Sequence, residues 1–300
     1  MLIMYWANSM FKIGGDTLLT ILVTISIFFL GIIFQALWHS FTAYLNRRKV
    51  RRMFAFVLKE FIVDTEKQSQ NLRTNAEQFT FANRNEYNIL NTNITSSKMF
   101  KDIGFKSIYE AYFVGFEYYL TFVNRSEYHR KYMLLVKNVI DAEYWHEKSM
   151  LDTFSALESY NKYHDIRNNA LESFRQKIDI MAHELIYNKV NLIFKEYFEE
   201  VDNIIVKWQK EADPTAPHIA NDFLVQPLLE HNRKHPEIRL AIQLNDDLLL
   251  ASAHFKNQKN VLDGMKDQTS RYANIFLKFA NSGKEFEQLN KFSFFKIRTW

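Results

Sequence analysis

The sequence predicts an all-α protein: one N-terminal transmembrane helix followed by a cytoplasmic bundle of long amphipathic helices. Two observations carry that prediction. Glycine and proline, which hairpins and tight turns consume, number seven and four in 300 residues, against about twenty-one and fifteen at average usage. Neither occurs from Ile32 to Ile103 or from Phe116 to Asp213, a scarcity that only long helices with few turns tolerate. The second observation is a stretch from Thr17 to Trp38 that carries no charge.

That stretch has the dimensions of a membrane span. Its 22 residues make a helix of about 33 Å, close to the roughly 30 Å of bilayer hydrocarbon. Fourteen of them are Leu, Ile, Val or Phe, with Phe28 and Phe29 near the middle. At about −0.3 to −0.6 kcal/mol each, these favour insertion by roughly 4–8 kcal/mol, partly offset by Thr, Ser, Gly31 and Gln35. A secretory signal places positive charge before a shorter apolar region. Here the basic cluster, Arg47, Arg48, Lys49, Arg51 and Arg52, comes after it. The positive-inside rule then keeps the C-terminal side in the cytoplasm and residues 1–16 outside, across the cell (inner) membrane. Tyr5 and Trp6 on one side, and Trp38 and Tyr44 on the other, suit the interfacial belts. Gln35 has an amide able to hydrogen-bond between neighbouring anchors. The lipid bilayer is thus the first partner expected, and the basic cluster attracts anionic headgroups at about 1 kcal/mol per residue.

Charge separates the anchor from the rest. The chain is net +4, but residues 1–52 hold six of the 38 Lys and Arg and only Asp16 of the 34 Asp and Glu. The remaining residues balance 32 basic groups against 33 acidic ones. A duplex-binding domain needs a basic face, so nucleic acid is not expected as a partner. With no cysteine, disulfides, thiolate metal sites and thiol nucleophiles are excluded.

Past the anchor, residues 39–82 read as a basic juxtamembrane segment and helical stalk. Phe54, Phe56, Val57, Phe61 and Ile62 continue the helix, and TEKQSQNLRTNAEQ reads as solvated. Residues 83–213 form the expected bundle core and 214–300 a C-terminal helical subdomain. Polar residues followed three later by Glu suggest helix starts at Asn83/Glu86, Ser107/Glu110, Asn124/Glu127 and Asn169/Glu172, although Thr74/Glu77 shows the pattern inside a helix. Asn91 to Ser97 reads as a loop. Residues 107–123 form a core helix, with Lys106, Glu110, Glu117 and Thr121 on its polar stripe and Tyr109, Phe113, Phe116, Leu120 and Val123 on its apolar face. Two long helices follow, broken near His164 to Asn169. The first presents Met133, Val136, Ile140, Tyr144, Met150, Phe154 and Leu157. The second presents Phe174, Ile178, Met181, Leu185, Ile186, Val190, Ile193, Tyr197, Val201, Ile204 and Trp208. All four prolines lie between Pro214 and Pro236, with Pro236 suited to a first helical position. Ile238, Leu240, Ile242 and Leu244 alternate like a strand, and 258–293 reads as amphipathic helix broken near Ser282 and Gly283.

Chemistry-bearing motifs are few. No phosphate-cradling glycine loop or nucleophile elbow occurs. Glu143 and His146 share a helical face, but a di-metal bundle needs a second such pair and two more carboxylates. His231 and His235 lack a third ligand. His146-Glu147 and His183-Glu184 lack a second His at zincin spacing, and Arg125 to His129 is one residue short of the ribonuclease spacing. The aromatic residues are more simply core than base-stacking platforms. The sequence therefore predicts no catalytic residue, no cofactor and no metal site. It points to a membrane-anchored helical interaction protein, a sensor, scaffold or effector subunit acting as a homo-oligomer or with a protein partner. An oligomerising membrane-permeabilising effector of a bacterial self-sacrifice system is the alternative, and an enzyme with an unrecognised bundle site the third possibility.

Overall fold

The computed structural model describes residues 15–83, 87–114, 125–187, 192–236 and 238–297. The long helices are α1 (Gly15–Gln78), α4 (Arg125–Tyr187), α5 (Leu192–Gln209) and α8 (Arg239–Ile297). The short ones are α2 (Thr95–Ile103), α3 (Phe105–Phe113), α6 (Pro217–Ala220) and α7 (Gln226–Lys234). A 3-10 turn spans Phe81–Asn83 and a π turn Asn221–Val225. Among the described residues there is no strand. The chain divides into two compact units, one of Met1–Lys59, Lys98–His129 and Glu287–Trp300, the other of Glu60–Ser97 and Arg130–Phe286.

In the first unit, aromatic rings form the core. Phe54 of α1 meets Phe100 of α2 and Tyr112 of α3 edge-on, at 5.5 and 5.3 Å between centroids. Phe113 lies 5.1 Å from Tyr128 at the start of α4. Such pairs combine large apolar area with favourable quadrupole geometry. The turn between α2 and α3 is made by Gly104, whose φ of 82° lies where a Cβ is strained. Its N–H closes on Phe100 at 3.1 Å and its carbonyl accepts from Ile108 at 3.1 Å, so one residue ends α2 and starts α3. Ile108, Ala111, Tyr112 and Phe113 are buried, whereas Tyr109 is 37% exposed. Phe116, Glu117, Leu120, Thr121 and Val123 lie outside the described residues.

The second unit is built on α4 and α8. On α4 the buried positions are Tyr132, Leu135, Val139, Ala142, Ser149, Thr153, Tyr160, Arg167, Ala170, Phe174 and Met181. On α8 the seam runs Ala241, Leu244, Leu248, Ala251, Gln258, Leu262, Met265, Thr269, Tyr272, Phe276, Phe279 and Phe286, with Ala273, Ala280 and Ser282 buried beside it. Both series step by three, four or seven residues, the spacing that keeps one seam facing a partner helix. The contacts are antiparallel: Tyr132 meets Phe286, Asp152 meets Tyr272 and Gln268, Arg167 meets Gln258, and Lys177 meets Asp247. One end of the seam closes on Tyr197, Val201 and Ile204 of α5 and Leu228 and Leu229 of α7.

The expected α4 face is only partly the seam. Met133, Ile140, Tyr144 and Phe154 are 52%, 49%, 58% and 55% exposed, whereas Leu135 and Val139 are buried. Val136, Met150 and Leu157 are half-buried, and Leu157 packs against the core. Both faces carry apolar residues at helical spacing, and the smaller Ala142, Ser149 and Thr153 let helices approach on the second one. No break occurs near His164 to Asn169, because Arg167 turns inward into the seam and the helix runs on. Asn169/Glu172 therefore marks no helix start, and Ser107/Glu110 falls inside α3. Glu86, Asn124, Val190 and residues 188–191 lie outside the described residues. Of the later series, Phe174, Met181, Tyr197, Val201 and Ile204 are buried as expected, and the side chains of Leu185, Ile186 and Ile193 lie outside the described residues.

The polar stretch of α1 is not a solvated stalk. Thr65, Gln68, Ser69 and Asn75 are buried, and three side chains there hold the non-helical segment after Tyr87. Asn75 receives Leu90 N–H at 2.9 Å and donates to the Leu90 carbonyl at 2.7 Å. Gln68 receives Thr92 N–H at 2.7 Å, and Asn71 donates to Thr92 Oγ1 at 2.8 Å. A non-helical backbone partly buried beside a helix needs such partners. Asp64 then accepts from Ser96 N–H and Oγ at 3.3 and 2.7 Å, satisfying an orphan donor in the first turn of α2. The expected loop at Asn91 to Ser97 thus gives way to helix at Thr95.

The prolines act locally. Pro217 opens α6 and Pro227 sits in the first turn of α7. Without an N–H, and with its ring crowding the carbonyl four residues back, Pro227 leaves the backbone to widen into the π turn just before it. Trp208 Nε1 donates to the Pro214 carbonyl at 2.8 Å. Pro236 is in a turn, and α8 begins at Arg239 rather than at Pro236. The strand-like alternation is helix: Ile238, Ala241 and Leu244 are buried and Ile242 is 56% exposed. Nor does α8 break at Ser282 and Gly283.

Candidate membrane anchor and buried polar sites

The apolar segment lies in α1. Its most apolar 18-residue window has a mean hydropathy of 2.3, and none of that window is buried. Phe28, Phe29, Leu37 and Trp38 are 67%, 58%, 64% and 56% exposed. The helix is long and apolar enough to cross a membrane. Two of its hydroxyls are satisfied within the helix: Thr24 donates to the Thr20 carbonyl and Ser26 to the Leu22 carbonyl, both at 2.8 Å. In hydrocarbon, with no water to receive them, that is the inexpensive arrangement. Trp38 stacks at 6.4 Å on Phe34 and lies 6.4 Å from Phe41. Tyr5 and Trp6 lie outside the described residues.

The basic flank is not uniform. Arg48, Lys49 and Arg52 are exposed, whereas Arg47 and Arg51, one turn apart, are half-buried. Arg51 Nε donates to the Ala111 carbonyl at 2.7 Å, and its guanidinium lies 5.9 Å from the Tyr112 ring centroid. The Ala111 carbonyl is in the last turn of α3, where it has no intrahelical donor. Arg51 thus caps α3, a structural role invisible in the charge pattern. Gln35 is exposed, and its amide makes no side-chain hydrogen bond among the described residues.

Three polar clusters interrupt the apolar interior of the second unit. At the α5–α7 end, Tyr197 Oη donates to Asn232 Oδ1 at 2.7 Å, and Asn232 Nδ2 donates to Asn245 Oδ1 at 2.9 Å. His231 stacks on Tyr197 at 4.8 Å, and the His231 and His235 rings are 4.8 Å apart. His231 Nε2 lies 3.2 Å from the Tyr197 carbonyl. Burial pushes the Tyr197 phenol up to about 12 and the His231 imidazole below its ordinary value. Midway, Tyr272 hydrogen-bonds Asp152, which also receives Gln268 at 2.7 Å and pairs with Lys148 at 3.6 Å. Burial, then the bond to Asp152, raises Tyr272 to about 12. Between these lies Arg167, with Gln258, His164 and Asn168.

No group of three or more His, Asp or Glu able to hold a metal occurs among the described residues. Half-buried His146 sits in the α4 seam, pushed below its ordinary value by burial. His129 meets Tyr109 and Phe113 edge-on at 5.8 and 5.4 Å, and the side chains of Arg125 and Glu184 lie outside the described residues. Compared with known proteins, the chain matches no family model, no curated protein and no solved structure.

Proposed function

We propose that the chain is a membrane-anchored helical interaction protein that works by assembling with itself or with a protein partner. The observation that carries this reading is the apolar part of α1, wholly exposed over a span that matches the bilayer. A soluble helix leaving that much apolar surface in water is strongly disfavoured. The basic residues Arg47 to Arg52 support an orientation with the bulk of the chain in the cytoplasm.

Self-assembly draws support from a second face. Met133, Ile140, Tyr144, Leu151 and Phe154 are each about half exposed or more. At roughly 100° per residue they share one side of α4, opposite its buried seam. A groove lined by Phe154, Leu157, Asn161 and Ile166 continues that side. The test is the oligomeric state of the detergent-purified full chain by light scattering. Assembly that is lost on changing Ile140 and Leu151 to Glu fits the reading. A strict monomer that binds no partner contradicts it.

One observation favours the permeabilising alternative. Thr17, Thr20, Thr24, Gly31 and Gln35 fall within about 60° of one another on α1, a polar and small-residue stripe that suits helix packing in a membrane. A single helix cannot line a pore, so this reading also requires an oligomer. Loss of membrane potential on expression, abolished by Gln35→Leu, distinguishes it from a scaffold that leaves the bilayer sealed.

A further inference from the structure

The guanidinium of Arg167 is a buried cation whose surroundings offer it almost no acceptors. The residue is 3% exposed and its seam partner Gln258 is fully buried. Among the described residues, the one ionisable group that favours its charge is the Tyr160 phenol, and no carboxylate compensates it. Arg167 Nη1 donates to Gln258 Oε1 at 3.1 Å and Nη2 to Asn168 Oδ1 at 2.9 Å. His164 adds one lone pair at most. Its Nδ1 lies 3.4 Å from Arg167 Nη2 and its Nε2 lies 2.9 Å from Asn168 Nδ2. Both ring nitrogens thus face N–H donors, whereas a neutral imidazole accepts at only one. Burial and then the Arg167 charge push His164 below its ordinary value, which keeps it neutral. Arg167 Nε and Gln258 Nε2 are buried and donate to nothing.

The cluster is therefore a surplus of donors around an uncompensated buried charge. A polar pair across a helix seam can be explained as a device that fixes register. That accounts for the Arg167–Gln258 bond but not for the two unspent donors, since a register device is stable only when its polar groups are satisfied. What would satisfy all of them is an acceptor that carries negative charge and several lone pairs. We propose that Arg167 and Gln258, flanked by His164 and Asn168, bind a small oxyanion between α4 and α8. The planar guanidinium suits a phosphate or a carboxylate equally. Tyr160 closes one side of the cluster, its ring stacked on His164 at 6.4 Å, with Tyr87 5.9 Å from it. Occupancy would tie α4 to α8 at mid-length, so the anion would act on the stability of the helix pair.

The experiment is thermal unfolding of the full chain in detergent with added inorganic phosphate or acetate, against sodium chloride of equal ionic strength. Phosphate or acetate should raise the melting temperature by about 3 °C or more at saturation; a response to phosphate alone assigns phosphate chemistry, and one to acetate assigns a carboxylate. Arg167→Gln removes the charge but risks misfolding. The decisive variant is Gln258→Glu, which places a carboxylate where Oε1 now meets Nη1. It should melt higher than the parent in chloride and lose the oxyanion response. A parent chain indifferent to both anions overturns the proposal, as does a response that survives in Gln258→Glu or a lower melting temperature of that variant in chloride.

Discussion

Arg51 Nε lies 2.7 Å from the carbonyl oxygen of Ala111, so one member of the basic cluster Arg47 to Arg52 is also the cap of a helix sixty residues further along the chain. The five cationic residues therefore divide by exposure. Arg48, Lys49 and Arg52 are exposed, whereas Arg47 and Arg51 are half-buried and Arg51 is committed to the fold of the first unit.

Arg51→Ala should destabilise the full chain by about 1–2 kcal/mol, because a charged donor to a helix C-terminus is lost and a carbonyl is left unpaired. Arg48→Ala and Lys49→Ala should change stability by less than about 0.5 kcal/mol. Replacing Arg48, Lys49 and Arg52 together should instead randomise membrane orientation, read by a C-terminal reporter. Thermal unfolding distinguishes the two kinds of effect.

The two faces of α4 should respond oppositely. Leu135→Ala should cost about 2–5 kcal/mol by opening a cavity in the seam. Ile140→Ala, on the exposed face, should leave the unfolding free energy within about 0.5 kcal/mol while weakening self-association measured by light scattering.

Gly104→Ala should cost about 1–3 kcal/mol, since a φ of 82° is strained for any residue with a Cβ. The space around it is open, with Ser107 Oγ 3.7 Å from an added Cβ. Conformation rather than crowding sets the cost, so Gly104→Ser should be no better. Denaturant unfolding measures both.

Stability should be greatest between about pH 6.5 and 10. His146, His164 and His231 have folded values depressed below the ordinary 6.5. The unfolded chain then binds more protons, and stability falls as pH drops below 6.5. Tyr197 and Tyr272 are raised from 10.0 to about 12. The unfolded chain loses those protons first, so stability falls as pH rises from 10 toward 12. Tyr197→Phe should reduce the alkaline loss at the expense of the Asn232 hydrogen bond, as melting temperatures across pH would record.

The fold class was legible because glycine and proline scarcity and one uncharged span are global signals that packing cannot reverse. The seam of α4 was not. Met133, Ile140 and Phe154 satisfy helical periodicity as well as Leu135, Val139 and Ala142 do, and only the partner α8 decides which face is covered. Ile238 to Leu244 looked like a strand because two helical faces both carry apolar residues there. The stretch from Thr65 to Asn75 looked solvated because its polar groups serve a backbone segment that hydropathy cannot see. Of the candidate site, the exposed apolar stretch of α1 was readable from composition and position. The Arg167 cluster was missed because a lone Arg at a seam position looks like a helix break until Gln258, ninety-one residues away, is placed against it.

The central claim is that the uncharged part of α1 is held in lipid. The direct test is fractionation of cells expressing the full chain, with the membrane pellet washed in alkaline carbonate. The wild-type chain should stay in the washed pellet, and Phe28→Lys with Phe29→Lys should release it, each charge opposing insertion by about 2.5–3.5 kcal/mol. Recovery of the intact wild-type chain in the soluble fraction would contradict the account.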